Sequence, residues 1–153
     1  MTVFTLTLLT PDDIPTLKNL GHFYEYDMSK ACGWRTPDHG LFESDMPYYE
    51  SYAKDSDRFG YLIHSNDELA GFALINKIGT NPSVNFHVGE YFIVGKFQRS
   101  GLGERVAHHI WTKHPGTWEI TVIPLNIPGL LFWERAVSTF TPHFTKETAQ
   151  VPW

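Results

Sequence analysis

The sequence predicts a single mixed α/β domain spanning residues 1–153, and three observations predict it. The apolar residues switch several times between a strand-like and a helix-like period, in the order strand, two helices, three strands, helix, strand, helix, short strand. The three middle strands follow one another through a tight turn at Ser65-Asn66-Asp67-Glu68 and a looser one from Gly79 to Ser83, so adjacent antiparallel pairing is the simplest arrangement. No internal repeat, low-complexity tract or interdomain linker breaks the pattern.

Val3, Thr5 and Thr7 alternate with Phe4, Leu6 and Leu8, which assigns residues 2–9 to a first strand. Thr10-Pro11-Asp12-Asp13 offers a cap, a proline at the first helical position and an acid at the third. Pro15 has no amide donor, so either the first turn is irregular or Asp13 is the true cap. Ile14, Leu17, Leu20, Tyr24 and Met28 then form one apolar stripe ending near Lys30. Gly33 to Gly40 reads as a loop, and Asp45-Met46-Pro47 starts a short helix through Lys54. Arg58 to His64, Leu69 to Ile78 and Val84 to Val94 are the three strands. Leu102, Val106 and Ile110 make a helical apolar line that Pro115-Gly116 stops. Trp118 to Ile123 is β-rich, Asn126 to Val137 is helical with Pro128 tolerated in its first turn, and the tail from Phe140 to Trp153 has room for a short strand.

The charge balance excludes some partners. With 17 acidic against 12 basic residues and a net charge of -5, the chain has no Lys/Arg block fit for nucleic acid or an anionic membrane surface, and its mean charge attracts a cation such as an amine. The opening MTVFTLTLLT lacks a basic leader, and no run of about 18 apolar residues occurs. The sole cysteine, Cys32, rules out an internal disulfide and suits a reducing compartment, so a soluble cytoplasmic protein is expected. No partner residue is fixed to Cys32 that would make it a nucleophile, and His108, His109 and His114 lack metal-ligand spacing, so no metal is expected.

Gln98-Arg99-Ser100-Gly101-Leu102-Gly103 opens the helix that follows the third middle strand. The first amides of a helix are unpaired and point outward along a favourable dipole, which makes an anion site. Gly101 and Gly103 remove side chains that would keep an anion from those amides, and Arg99 adds a charge-assisted contact. By themselves the two glycines fit a plain turn equally well. A GxxxxGK[ST] loop and the three-glycine dinucleotide fingerprint are both absent.

In context, the stretch resembles the Gln/Arg-x-x-Gly-x-Gly/Ala signature of the GCN5-related N-acetyltransferases, preceded here by the strand Glu90-Tyr91-Phe92-Ile93-Val94. Asn126-Ile127-Pro128-Gly129-Leu130-Leu131-Phe132-Trp133 is similar to that family's Asn-x-x-Ala-x-x-x-Tyr run. The resemblance implies a mixed, mostly antiparallel central sheet flanked by helices, of the acyl-CoA N-acyltransferase type, and acetyl-CoA as the acetyl donor. It implies that Gln98, Arg99, Ser100, Gly101, Leu102, Gly103 and Glu104 hold the diphosphate, and that the backbone of Phe92, Ile93 and Val94 holds the pantetheine arm between splayed strands, with Asn126 and Trp133 nearby. Trp133 stands where many members have a tyrosine that protonates the departing thiolate. An indole cannot do that, so the proton comes from water or from a tyrosine elsewhere.

The implied reaction is direct transfer of the acetyl group to a bound amine. An exposed N–H at Ile93 or Val94 steadies the oxygen that gains charge, which places Val94 among the catalytic groups. Glu90, a carboxylate in an apolar strand, is the first choice for proton acceptor, because partial burial raises its pKa toward a useful value. A solvent-facing Glu90, or one that binds the ammonium without taking its proton, stays open. In a regular strand His87, the reserve base, lies on the opposite face, and a bulge would change that. By the same analogy Tyr24, Asp27, Trp34 and Glu90 bind the acceptor, with Tyr26, Asp38, Phe42, Asp45, Tyr48 and Tyr49 close by, an acidic and aromatic set that favours a small-molecule amine over a long peptide. The short tail leaves room for a homodimer partner to complete the substrate wall. The alternative is a non-catalytic acyl-CoA-binding or interaction domain on the same fold.

Overall fold

A computed structural model describes residues 3–43 and 45–149 of the chain. Its sheet runs in the order β1 (Phe4–Leu8), β2 (Phe59–Ser65), β3 (Glu68–Asn76), β4 (Phe86–Ile93) and β5 (Trp118–Ile120). The first four strands pair antiparallel, and β5 joins β4 in parallel. Helices α1 (Ile14–Cys32) and α2 (Met46–Ser51) cover one face, while α3 (Leu102–Lys113) and α4 (Ile127–Phe140) lie on the other.

The strand alternation divides the core. Leu62, Phe72, Leu74 and Phe92 point to α1 and α2, where they meet Leu17, Leu20, Tyr49 and Tyr52. Tyr61, Ile63, Ala73 and Ile75 point the other way, against Leu102, Val106 and Ile110 of α3. A third cluster of Ala107, Trp111 and Ala136 joins α3 to α4. Each fully buried Leu or Phe contributes about 1.5–3 kcal/mol relative to exposure.

Both readings of the α1 start are realised. Pro15 cannot donate to the Pro11 carbonyl, and the Ile14 amide takes that carbonyl instead, so Pro11–Asp13 winds as a 3-10 turn before the α-helix proper. Thr10 N–H donates to Asp13 Oδ2 at 2.9 Å. Between β2 and β3, Asn66 and Asp67 have φ of 49° and 67°, the mirror-image turn whose twist matches that of the strands it joins.

Two bulges interrupt the ladders. Ala70 is the extra residue of β3 opposite β2, and Gly89 is the extra residue of β4 opposite β3. Parallel pairing with β5 covers only Phe86 to Val88 and ends where β4 bulges, so β5 stops at Ile120 rather than at Ile123. Residues 141–149 form no strand; 150–153 of the expected tail, and Thr2 of the expected first strand, lie outside the described residues. Among the described residues, no helix is long and apolar enough to cross a membrane.

Gly71 sits beside the first bulge with φ of 159°, and a Cβ there would stand 2.0 Å from the Phe92 carbonyl oxygen. Because that oxygen belongs to the strand backbone, the clash is relieved only by moving β3 away from β4. Gly71→Ala is expected to cost about 3 kcal/mol or more, the upper part of the overpacking range; the urea midpoint measures it, and an unchanged midpoint would refute the close approach.

Candidate active site

The Gly89 bulge places Glu90 and His87 on one face. Leu74 pairs with Glu90, Ile75 with Val88 and Asn76 with His87, so both Glu90 and His87 share the face of Leu74, toward α1 and α2. The opposite-face arrangement expected of a regular strand is therefore corrected by one inserted residue. Glycine there leaves room for the cluster, because a Cβ on residue 89 would come within 2.7 Å of both Asn76 Nδ2 and the Tyr52 hydroxyl and force them to shift.

Glu90 is the centre of a cluster of phenols. Tyr24, from the buried stripe of α1, donates a short hydrogen bond to its Oε2, and Tyr48 of α2 donates to Oε1 at 3.3 Å. Tyr52, one helical turn beyond Tyr48, donates to the Tyr48 hydroxyl at 2.9 Å. Asn76 Nδ2 donates to the Tyr52 hydroxyl at 2.8 Å, and Asn76 Oδ1 meets His87 Nδ1 at 3.0 Å. His87 Nε2 in turn meets Thr121 Oγ1 at 3.0 Å. Tyr52 and Asn76 escaped the sequence reading. The Tyr48/Tyr52 spacing of four was the available signal, whereas nothing local tied Asn76 to them.

Burial pushes the Glu90 carboxyl up to about 7, against the opposing pull of the Tyr24 and Tyr48 donors, and Glu25 adds to the rise. Burial also raises the Tyr24 and Tyr48 hydroxyls, with Glu90 as the next cause, so both remain protonated donors. Burial lowers His87, and Glu119 pulls weakly the other way. With both ring nitrogens engaged, His87 braces the cluster from the side of β5.

Beyond Val88 the β5 side of β4 is open, and strand alternation decides which backbone groups face it. Val94 N–H donates to Ala70 O at 2.7 Å, so the Val94 amide belongs to the sheet and is not the exposed donor expected of it. Pairing of Phe72 with Phe92 turns the Phe92 amide to the same side, and Gly71 with Ile93 and Ala73 with Tyr91 are the pairs that leave theirs outward. The outward backbone of β4 is thus Tyr91 and Ile93, rather than Phe92 to Val94. Gln98 Nε2 donates to the Ile93 carbonyl at 2.7 Å, which engages that side chain but leaves the Ile93 N–H facing outward.

At the glycine loop, Arg99 and Gly101 have φ of 60° and 86°, alternating around Ser100, a geometry that gathers successive amides into a concavity. Ser100 Oγ donates to Phe97 O at 2.5 Å. Arg105 N–H is bonded to Gly101 O and Leu102 N–H to Ser100 Oγ at 3.4 Å, so the Gly103 and Glu104 amides are the first-turn donors without an intrahelical partner. Nothing lies within 4 Å of where a Gly101 Cβ would stand. Gly103 has a different reason: its Cβ would meet the Phe132 ring at 3.0 Å and Ile93 Cγ1 at 3.4 Å, so it lets α3 close on α4 and β4. The Glu104 carboxylate turns to α4, where Thr139 donates to it and Arg135 lies at 3.7 Å.

Asn126 is the N-cap of α4. Its Oδ1 accepts from Gly129 N–H at 3.1 Å and its Nδ2 lies 3.5 Å from Met28 Sδ, so the side chain expected beside the cofactor arm ties α4 to itself and to α1. An alanine at 129 would place its Cβ 2.4 Å from Asn126 Nδ2, which accounts for the glycine. Trp133 packs edge-on against Tyr91 at 5.0 Å and near Trp111 at 6.2 Å. The neighbouring Tyr91 hydroxyl donates to Gly103 O at 2.5 Å, and burial raises its pKa.

Of the residues expected to bind the acceptor, the structure brings Tyr24 to Glu90 but not Asp27 or Trp34. Asp27 pairs with Lys30 at 2.9 Å on its own helix, and Trp34 follows the left-handed Gly33 cap, 42% exposed. Tyr26 and Phe42 meet edge to face at 5.7 Å in a groove of about 730 Å3 on the outer side of α1, opposite the stripe that carries Tyr24. That groove is separate from the Glu90 cluster.

A carboxyl whose pKa is raised on folding keeps in the folded state a proton that the unfolded chain has already released, so stability falls as pH rises from the ordinary carboxyl range through about 7. Glu90→Gln removes this loss. Its stability relative to wild type is expected to improve from pH 5 to pH 8 by on the order of 1–3 kcal/mol. Denaturant midpoints at the two pH values read this, and a pH-independent difference would mean that Glu90 is not desolvated.

No protein-family model and no curated protein matches the sequence. Solved structures do match. An acetyltransferase from Thermus thermophilus superposes with a TM-score of 0.68 at 17% identity, over 87% of this chain and 84% of that one. A ribosomal-protein-alanine N-acetyltransferase from Brucella melitensis biovar Abortus 2308 gives 0.58 at 12% identity, over 99% and 100%. An aminoglycoside acetyltransferase from an uncultured soil metagenomic sample, in complex with sisomicin, gives 0.61 at 10% identity, over 98% and 95%. At such identities the likeness is one of architecture, and the chain has the fold of the GCN5-related N-acetyltransferases, a mixed sheet of the acyl-CoA N-acyltransferase type.

Proposed function

We propose that the chain is a member of that superfamily and transfers the acetyl group of acetyl-CoA directly to a primary amine, that of a small molecule in preference to a long peptide. The observation that carries the reading is Glu90: a carboxylate raised to about 7, on the strand whose open edge presents the Ile93 N–H three residues further on. The residues present fit the diphosphate of the cofactor, since the Arg99–Gly101 concavity is open where a Gly101 side chain would stand and the first-turn amides of α3 adjoin it. Acetyl-CoA supplies the activated thioester.

Each protein group then has one task. Tyr24 and Tyr48 hold the two oxygens of Glu90. Glu90 takes the proton that the amine loses as its nitrogen attacks. The Ile93 N–H, directed away from β3, donates to the carbonyl oxygen as it gains charge. Trp133 has no acidic proton to give, so the thiolate takes its proton from water or from a tyrosine outside the motif. A homodimer completing the acceptor wall is part of this reading.

Gly101→Glu is expected to abolish acetyl-CoA binding in calorimetry while leaving the fold intact, because a negative side chain would occupy the open concavity; wild-type affinity would dismiss the diphosphate site. Free-thiol release across a panel of amines and peptides tests turnover. Glu90→Gln is expected to lower kcat by roughly 10²–10⁴-fold with little change in cofactor affinity. The wild-type rate should rise with pH through about 7, the deprotonation of the base. Cofactor binding without thiol release on any acceptor would make the protein a non-catalytic acyl-CoA-binding domain.

A further inference from the structure

The chain of hydroxyls behind Glu90 has a fixed direction, and one backbone amide fixes it. Ile78 N–H donates to Asn76 Oδ1 at 2.9 Å, and a backbone amide can only be received by the oxygen of that side chain. Asn76 Nδ2 is therefore the atom turned to Tyr52. An amide nitrogen only donates, so the Tyr52 oxygen receives this bond and its proton goes to the Tyr48 oxygen at 2.9 Å. The Tyr48 oxygen is then an acceptor too, and its proton goes to Glu90. His87 agrees: Asn76 Oδ1 calls for a proton on Nδ1, which leaves Nε2 to accept from Thr121.

We propose that Asn76 is a positioning residue, which orients the Tyr52 and Tyr48 hydroxyls as a one-way relay of donors ending on the Glu90 carboxylate. Asn76 lies two hydroxyls away from Glu90 and touches neither it nor an acceptor bound there. Its effect is to forbid the reversed chain, in which Tyr48 donates to Tyr52 and Glu90 loses one of its two phenol donors. Gly89 guards the same junction, since any side chain there would enter between Asn76 and Tyr52. The catalytic meaning of the relay rests on Glu90 being the base; the orientation itself does not.

Apart from His87, whose Nδ1 meets the side chain at position 76, the other groups facing this cluster are common to all the variants compared. Tyr24, Glu25 and Tyr49 approach from α1 and α2, the Arg58 guanidinium lies 5.6 Å and 5.4 Å from the Tyr48 and Tyr52 rings, and His87 and Glu119 stand at the β5 end. The discriminating variant is Asn76→Asp. A carboxylate at position 76 accepts where the amide donated, so Tyr52 turns its proton to the new carboxylate, Tyr48 turns its proton to Tyr52, and Glu90 is left with Tyr24 alone.

The test is a carboxyl-carbon NMR titration of protein labelled with 13C-glutamate, with the Glu90 signal assigned by its loss in Glu90→Gln and with no substrate present. Tyr48→Phe is expected to raise the Glu90 midpoint by roughly one pH unit, the loss of one donor to a carboxylate. Asn76→Asp is expected to raise it similarly, and to add little in the Tyr48→Phe background, because the effect travels through Tyr48. A shift that persists in full in that background would be direct charge repulsion and would overturn the proposal, as would no shift in Asn76→Asp. Tyr52→Phe keeps the ring and serves should the Asn76→Asp variant fail to fold: it is expected to raise the midpoint by a fraction of the Tyr48→Phe shift, since Tyr48 loses the donor that polarises it, and an unchanged midpoint overturns the relay. Thiol release by Glu90→Gln reports separately on whether Glu90 is the base, so the two ideas fail independently.

Discussion

Gly89 is one residue more than the pairing of β3 with β4 accommodates, and the arrangement of the site follows from where the excess is absorbed. The bulge turns Glu90 onto the face of α1 and α2, brings His87 to that face as well, and coincides with the end of β5 pairing. A strand in regular register would have placed the carboxylate and the histidine on opposite sides of the sheet. The open edge of β4 and the buried acid on its face thus have a common origin in one backbone irregularity.

The cluster around Glu90 shows how a carboxylate is kept in an apolar setting. Desolvation favours its neutral form, while two phenol donors favour the charged one, and the balance lies near neutrality. The hydroxyls themselves stay protonated because burial and the neighbouring acid both oppose their ionisation. Behind them, Asn76 and His87 satisfy one another and reach the residue after β5, Thr121, so the polar network crosses the apolar core without a break at these positions.

Several residues of the two motif stretches and of the strand before them have structural duties. Asn126 caps α4, Gly129 makes room for that cap, Gly103 lets Phe132 approach, and the Val94 amide completes the β3 ladder. A motif residue can be required by the fold at a position where its chemistry would also serve a ligand. Gly101 differs, since its left-handed backbone and open surroundings leave a concavity with no structural occupant.

The periodicity of the sequence by itself determined the element order as far as the last helix, the hairpin at Asn66-Asp67, the irregular start of α1 and the helix opened by Gly101, because each depends on residues within a turn or two of one another. It also marked Glu90 as an acid in an apolar strand beside Ile93. Tertiary structure alone decided the bulge at Gly89, the outward turn of the Ile93 amide in place of Val94, the end of β5 at Ile120, and the convergence of Tyr24, Tyr48, Tyr52 and Asn76 behind Glu90. These depend on register between strands and on side chains from four distant segments, which short-range pattern cannot encode: Tyr24 and Glu90 are 66 residues apart in the chain and meet because two separately formed elements pack on one sheet.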